Sequence, residues 1–455
     1  MEKKATILFQ VENENVRHFV KDAQGNFVTT MIDDVITFVV KENVKEAASL
    51  DKVRMLAGSI ARTAMKQKIT NVDVSAQQLR ETFHELATDD VTIAFVEGWE
   101  LGTYTFDTYK SKKKAAKPEL HVTDGVIASL IDQGKVRAAA TAFARDLMNE
   151  TPSTLTPETF PEILRDTFSD SAVDVVVHAK EQIAAMEMNG LLAVNRGSKY
   201  DPAFIELHYR GDESKPLIAL VGKGVTFDTG GISLKSGRNL SDMRMDMGGA
   251  AAVAGAVKLL AEMNAPVNVV GLIQTVENMP DRHSLLPGDI ITYKTGQTVQ
   301  VGNTDAEGRL ILADGLIRAG ELEAEYVVDI ATLTGAIHFA LGPKMGGVFG
   351  DDQLMEQVKT LGEQNGDHVW PMPLIEDYER TLNSDYADFC NISNQSYGGA
   401  ITAALFLRKF VPDNAKWLHI DMAGTMESKT EGYYEAGGTG YGVRLLADFA
   451  TAVSK

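Results

Sequence analysis

Four short apolar runs constrain this chain more than any other feature. Residues 217–221, 267–273, 327–331 and 418–420 are rich in branched side chains. Runs of that kind read as strands buried on both faces. Helical patterns separate or follow them at 249–263, 310–321, 400–410 and 442–453. Such alternation marks an α/β fold with a mainly parallel sheet covered by helices. Residues 289–293 and 298–301 flank Lys294-Thr295-Gly296-Gln297 and read as a hairpin. The central sheet is expected to be mainly parallel but mixed.

The first part of the chain reads as a smaller α/β domain. Strands are expected at 5–11, 35–40 and 91–95. A helix is expected at 51–68, where Val53, Leu56, Ile60 and Ala64 recur at helical spacing. A second is expected at 75–86, with Ser75 as its N-cap. Residues 123–149 read as one long helix, after which Pro152, Pro157 and Pro161 punctuate the chain. The 455 residues thus divide into an N-terminal α/β domain (1–122), a linker helix (123–149) and a larger α/β domain (150–455).

Charge and cysteine usage narrow the function. Lys and Arg total 44 against 63 Asp and Glu, a net charge of −19. That average field repels nucleic acid, and the basic run Tyr109–Lys114 reads as a solvated loop. One cysteine, Cys390, excludes an internal disulfide and any Cys-based zinc cluster. The apolar run at 5–9 is too short for a signal-peptide core, and the longest apolar stretch, 248–261, contains Lys258. The expectation is a cytoplasmic chain with no membrane span.

Ligands in open α/β sheets bind beyond the carboxyl ends of strands. After 217–221 comes G-K-G-V-T-F-D-T-G-G-I-S-L-K (222–235), where a dinucleotide fingerprint fails because its third glycine would fall on Phe227. No P-loop and no G-x-S-x-G elbow occurs. What remains is Lys223, Asp228 and Lys235, followed by Asp246 just before a helix. By itself Asp246 reads as an N-cap, and Lys223 as an ordinary surface lysine. Further on, Asp305, Glu307 and Arg309 would converge if their segment were extended, either as a structural salt bridge or as part of a site. Four carboxylates at one sheet edge repel unless cations neutralise them, and two divalent ions would do so. None of the nine histidines forms H-x-x-x-H, so a metal site would be mostly oxygen-lined.

The string N-T-D-A-E-G-R-L (303–310) resembles the signature of the leucyl aminopeptidase family, the cytosolic two-metal exopeptidases. The resemblance extends through V-G-K-G-V-T-F-D-T-G-G-I-S-L-K (221–235), M-R-M-D-M-G-G-A-A (243–251), A-T-L-T-G-A (331–336) and W-L-H-I-D-M-A-G-T (417–425). It implies a hydrolase that removes the N-terminal residue of peptides, with Leu and other apolar residues preferred. It implies a tighter metal site of Lys223, Asp228, Asp246 and Glu307. A more exchangeable site would use Asp228, Asp305 and Glu307. Mn²⁺ or Zn²⁺ are the implied ions, with Co²⁺ or Mg²⁺ as further candidates. Lys223 must then be neutral, whereas Lys235 and Arg309 would stabilise the gem-diolate as cations. Arg309 would also hold bicarbonate as general base, with backbone contacts from Leu333 and Gly335. Met243, Asn303, Ala306 and Thr332 would shape the pocket for the first side chain. A homohexamer is implied as well. The competing expectations are another two-metal hydrolase, such as a phosphoesterase, and an added DNA-binding or scaffold role.

Overall fold

The computed structural model describes residues 3–11, 13–45, 48–113, 116–125, 127–237 and 239–455. Met1, Glu2 and Lys114, which belong to segments interpreted above, lie outside them. The chain forms two units. One runs to Ala142 and includes Gln364–Gly366 and Ser428–Ala436; the other comprises Phe143–Glu363, Asp367–Glu427 and Gly437–Lys455.

The first unit contains strands β1 (Lys4–Leu8), β2 (Phe27–Ile32), β3 (Val35–Val40), β4 (Asn71–Ser75) and β5 (Glu119–Thr123), in the order β2-β3-β1-β4-β5. Its helices are α1 (Glu14–Asp22), α2 (Leu50–Lys66), α3 (Ala76–Thr82) and α4 (Thr88–Thr103). Ser75 caps α3 as expected, its side chain accepting from the amide of Gln78.

Two expectations fail here. Residues 91–95 lie inside α4 rather than in a strand. A short apolar run does not distinguish a strand from a helix buried on most sides. Packing decides the matter: a Cβ on Gly98 would lie 2.3 Å from Arg54 O of α2, and one on Gly102 2.6 Å from Gly58 Cα. The long helix expected from 123 starts only at Ala128, as α5 (Ala128–Asn149). β5 occupies the chain to Thr123, and Asp124 and Gly125 then turn it with φ of 63° and 73°.

The second unit is built on an eight-stranded mixed sheet. Its strands are β6 (Val173–His178), β7 (Ala203–Arg210), β8 (Leu217–Asp228), β9 (Asn268–Asn278), β12 (Tyr326–Ala331), β13 (Gly346–Gly350), β14 (Val369–Pro371) and β16 (Lys416–Asp421). The order is β14-β13-β16-β12-β8-β9-β7-β6. The four central strands, β16, β12, β8 and β9, are parallel neighbours. These are the four runs singled out in the sequence. The hairpin also forms, from β10 (Ile290–Thr292) and β11 (Thr298–Gln300), and β15 (Phe389–Cys390) pairs with β11.

Helices α6 (Thr159–Phe168), α7 (Lys180–Ala185), α8 (Asn189–Val194), α9 (Gly248–Glu262), α10 (Gly308–Glu321), α11 (Gly335–Leu341), α12 (Asp352–Asn365), α13 (Gly399–Arg408) and α14 (Val443–Val453) complete the chain. Leu220 and Val221 of β8, Ile273 of β9 and Leu312 of α10 are wholly buried, as befits strands covered on both faces. Among the described residues no helix is long and apolar enough to cross a membrane.

Candidate metal centre

The parallel strands end together, and charged side chains gather at those ends. β8 carries Lys223 and finishes on Asp228. Gly230 and Gly231 then turn the chain with φ of 90° and 62°, a conformation that glycine adopts without penalty, and Lys235 follows. Asp246 closes a 3-10 turn (Leu240–Met245) ahead of α9. Asp305 lies in a turn, and Glu307 is the N-cap residue of α10. One carboxylate oxygen each from Asp228, Asp305 and Glu307 falls within 4.8 Å of the others, a grouping that could hold a metal ion.

Two ammonium groups sit among the carboxylates. Lys223 Nζ lies 2.8 Å from Asp246 Oδ2 and 2.9 Å from Glu307 Oε1, and donates to Asp246 Oδ1 and Thr332 O. Lys235 Nζ pairs with Asp228 Oδ2 at 2.6 Å and with Asp305. Neutralisation is nevertheless incomplete. Glu307 Oε2 is buried and accepts no hydrogen bond, while Asp246 Oδ2 and Asp305 Oδ1 meet their ammonium partners outside hydrogen-bonding geometry. A buried charged oxygen left without a donor costs more than ~1–3 kcal/mol. This donor set, oxygens plus one amine, fits a hard or borderline divalent cation.

The electrostatics follow from burial and crowding. Burial, followed by the charge of Asp228, raises the carboxyls of Glu307 and Asp305 above the usual range. Burial raises Asp246 too, against the opposing pull of Lys223. Burial would lower both lysines, but the surrounding carboxylates outweigh it and hold them above their ordinary value. With carboxylates alone around it, Lys223 is therefore a cation; a neutral amine there requires stronger positive charge among its neighbours.

The remaining expected residues fall as follows. Thr332 joins the cluster, its hydroxyl donating to Asp246 Oδ1 at 2.8 Å. Met243 is buried in the turn before Asp246. Asn303 and Ala306 flank Asp305 in sequence. Leu333 donates its amide to Asp421 Oδ1 at 3.1 Å, and exposed Gly335 opens α11. The extended segment that would have converged Asp305, Glu307 and Arg309 does not form, because the helix starts at Gly308. Buried Arg309 instead donates from Nη1 to Asn391 O at 2.8 Å. Burial lowers its pKa to about 10, so it stays a cation at neutral pH.

Comparison with known proteins assigns the chain to a family. The catalytic domain of the cytosol aminopeptidase family matches residues 142–447, and the N-terminal domain of the same family matches 44–113. The chain belongs to the cytosol aminopeptidase family. It is similar to a probable cytosol aminopeptidase of Persephonella marina, 40% identical over 89% of this chain and 83% of the relative. It is also similar to one of Chlorobium phaeobacteroides, 36% identical over 97% of this chain and 90% of the relative. A solved structure titled bottromycin maturation enzyme BotP in complex with Mn superposes with a TM-score of 0.92 at 32% identity, covering both chains fully. This member of the cytosol aminopeptidase family is accordingly a hydrolase of the aminopeptidase class.

In this cytosol aminopeptidase family member, several supporting residues lie outside the sequence expectations. Asn278, at the end of β9, donates to Asp228 Oδ1 (2.8 Å) and Thr304 O (3.0 Å). Asp421, at the end of β16, accepts from the amides of Leu333, Thr334 and Ala423 and from the Thr334 hydroxyl. Both stand at ends of parallel strands, where the strand-end rule points. Asn391 carries no comparable sequence signal. Buried His419 pairs its Nδ1 with Asp329 at 2.5 Å, and the three-carboxylate grouping includes no histidine.

Proposed function

We propose that the chain releases N-terminal residues from peptides using two divalent ions, with Mn²⁺, Zn²⁺, Co²⁺ or Mg²⁺ as candidates. Lys223, Asp228, Asp246 and Glu307 would hold the tighter ion; Asp228, Asp305 and Glu307 would hold the exchangeable one. Ions in such a site acidify water and polarise a peptide carbonyl. The observation that carries this reading is the close grouping of Asp228, Asp305 and Glu307, with a buried Glu307 oxygen that no donor satisfies.

The chain's own residues supply the rest. Lys235 presents a protonated ammonium at the cluster, placed to oppose negative charge that develops on the substrate oxygen. Buried Arg309 adds a permanent cation where water screens it little. Arg309, with the backbone of Leu333 and Gly335, would hold bicarbonate, the anion that supplies general-base chemistry. Met243, Asn303, Ala306 and Thr332 would border the first side chain, favouring Leu and other apolar residues. A free α-amine would be taken by one of the ions, which would confine cleavage to the first residue. A cytoplasmic homohexamer completes the proposal.

Family membership favours peptide hydrolysis over a phosphoesterase. The test compares aminoacyl-p-nitroanilides with p-nitrophenyl phosphate, before and after exhaustive chelation, alongside metal content by mass spectrometry. Peptidase turnover that survives complete removal of metal would sink the reading.

A further inference from the structure

We infer that Asn391 is a positioning residue that fixes the Asp305-bearing loop, and with it the exchangeable ion of the proposed pair. Asn391 is completely buried and follows β15, far in sequence from the loop it touches. Its side-chain oxygen accepts from the amides of Gly302 (2.8 Å) and Asn303 (3.3 Å). Its side-chain nitrogen donates to the carbonyls of Asn303 (2.8 Å) and Ala306 (3.3 Å). Its backbone carbonyl accepts from Arg309 Nη1 at 2.8 Å. One residue thus binds the 302–306 segment on both sides of Asp305 and anchors the guanidinium beyond it. An amide suits the task because it accepts and donates at once, which neither an aliphatic nor a carboxylate side chain can do.

The contacts are selective. Asn391 touches the segment that carries Asp305, whereas Lys223 and Asp246 are held by each other and by Thr332. Asp228 is held by Asn278 and the amide of Gly230. Under the two-ion reading, on which this inference rests, Asp305 serves only the exchangeable ion. Glu307, shared by both ions, begins α10 and is held separately by Lys223, so loosening the loop should weaken the exchangeable ion more than the tighter one.

The experiment is a Mn²⁺ titration of the metal-free full chain by calorimetry, with bound ions counted by equilibrium dialysis, for wild type and Asn391→Leu. Leucine approximates the shape and adds no charge. Removing an outer hydrogen-bonding partner of a metal site typically weakens affinity about 10–100-fold. That loss is expected for the exchangeable ion, with the tighter ion weakened far less. A merely structural role would lower thermal stability without separating the two ions. Gly302→Ala approaches the same contact from the other side and leaves Asn391 in place. Its Cβ would lie 2.8 Å from Cys390 Sγ and 2.9 Å from Ile392 Cγ1, so either the loop or the two side chains flanking Asn391 must give way, and the loop's seating on Asn391 is disturbed. If Asn391→Leu does not fold, Gly302→Ala decides, with the same selective weakening expected. Two ions in wild type with unchanged affinities in the deciding variant overturn the inference alone, as does equal weakening of both ions. A wild type that binds fewer than two ions overturns the two-ion reading and the inference together.

Discussion

Lys223 and Lys235 divide the carboxylates between them, and their proposed roles are opposite. Lys223 faces Asp246 and Glu307 from within β8; Lys235 faces Asp228 and Asp305 from a loop. A guanidinium keeps its proton at all working pH and cannot act as a neutral amine ligand. Lys223→Arg should therefore lose the tighter ion and nearly all activity. Lys235→Arg should keep both ions and lose kcat instead, by up to the ~10²–10³ typical of one lost oxyanion stabiliser. Metal stoichiometry and kcat of the purified variants check this; two tight ions in Lys223→Arg would refute it. The carboxylates give a parallel contrast. Asp305→Ala should weaken mainly the exchangeable ion and Glu307→Ala both, as read by Mn²⁺ titration. At this scale the sequence was informative where chemistry is local to a motif: Lys223, Asp228, Asp246, Asp305 and Glu307 all reach one cluster. It was silent on Asn391, whose partners lie more than eighty residues earlier in the chain.

The central parallel strands and the helices around them were legible because burial on both faces leaves a continuous apolar run. β6 and β7 escaped notice because polar and charged residues break their apolar runs: Asp174 and His178 in β6, Glu206, His208 and Arg210 in β7. Glu206 and His208 of β7 and His178 of β6 share a polar cluster with Arg318 of α10. That cluster has a pH signature. Burial would raise Glu206, but hydrogen bonds from His208 and Arg318 outweigh it and bring its pKa to about 2. A depressed carboxyl stabilises the fold fully above its ordinary range and loses that contribution as pH falls toward the folded value. Glu206→Gln should thus melt below wild type at neutral pH, with the gap closing from about pH 4.5 down toward pH 2. Differential scanning calorimetry across that range is the check, and a constant gap would contradict it. Helix α9 makes a second case. A Cβ at Gly249 would stand 2.1 Å from Ile330 O and 2.9 Å from Lys223 N. Gly249→Ala must push α9 off β12 and β8, which overpacking values place at about 1–3 kcal/mol. Denaturant unfolding would measure it.

The two-domain α/β character of the molecule could be read from alternation alone, but its assembly could not. A single chain leaves Phe339 89% and Tyr386 75% exposed, with Leu234 more than half exposed. Large apolar side chains left in water are common at sites of association. A homohexamer predicts a light-scattering mass roughly six times the 49.4 kDa of one chain at assay concentration. A monomer mass would remove that part of the proposal. Periodicity and charge have no term for such contacts, since they describe a chain and not its copies.

The separation of Asn391 from the loop it holds also has a meaning in time. Ribosomes add about 5–20 residues per second, so Asn391 emerges roughly four to seventeen seconds after Glu307, the last of the proposed ion ligands. During that interval the nascent chain displays every proposed ion ligand without the side chain that fastens Asp305. On the two-ion reading, capture of the exchangeable ion would then come late in biogenesis, and a chain stalled before Asn391 would lack the anchor of the Asp305 loop.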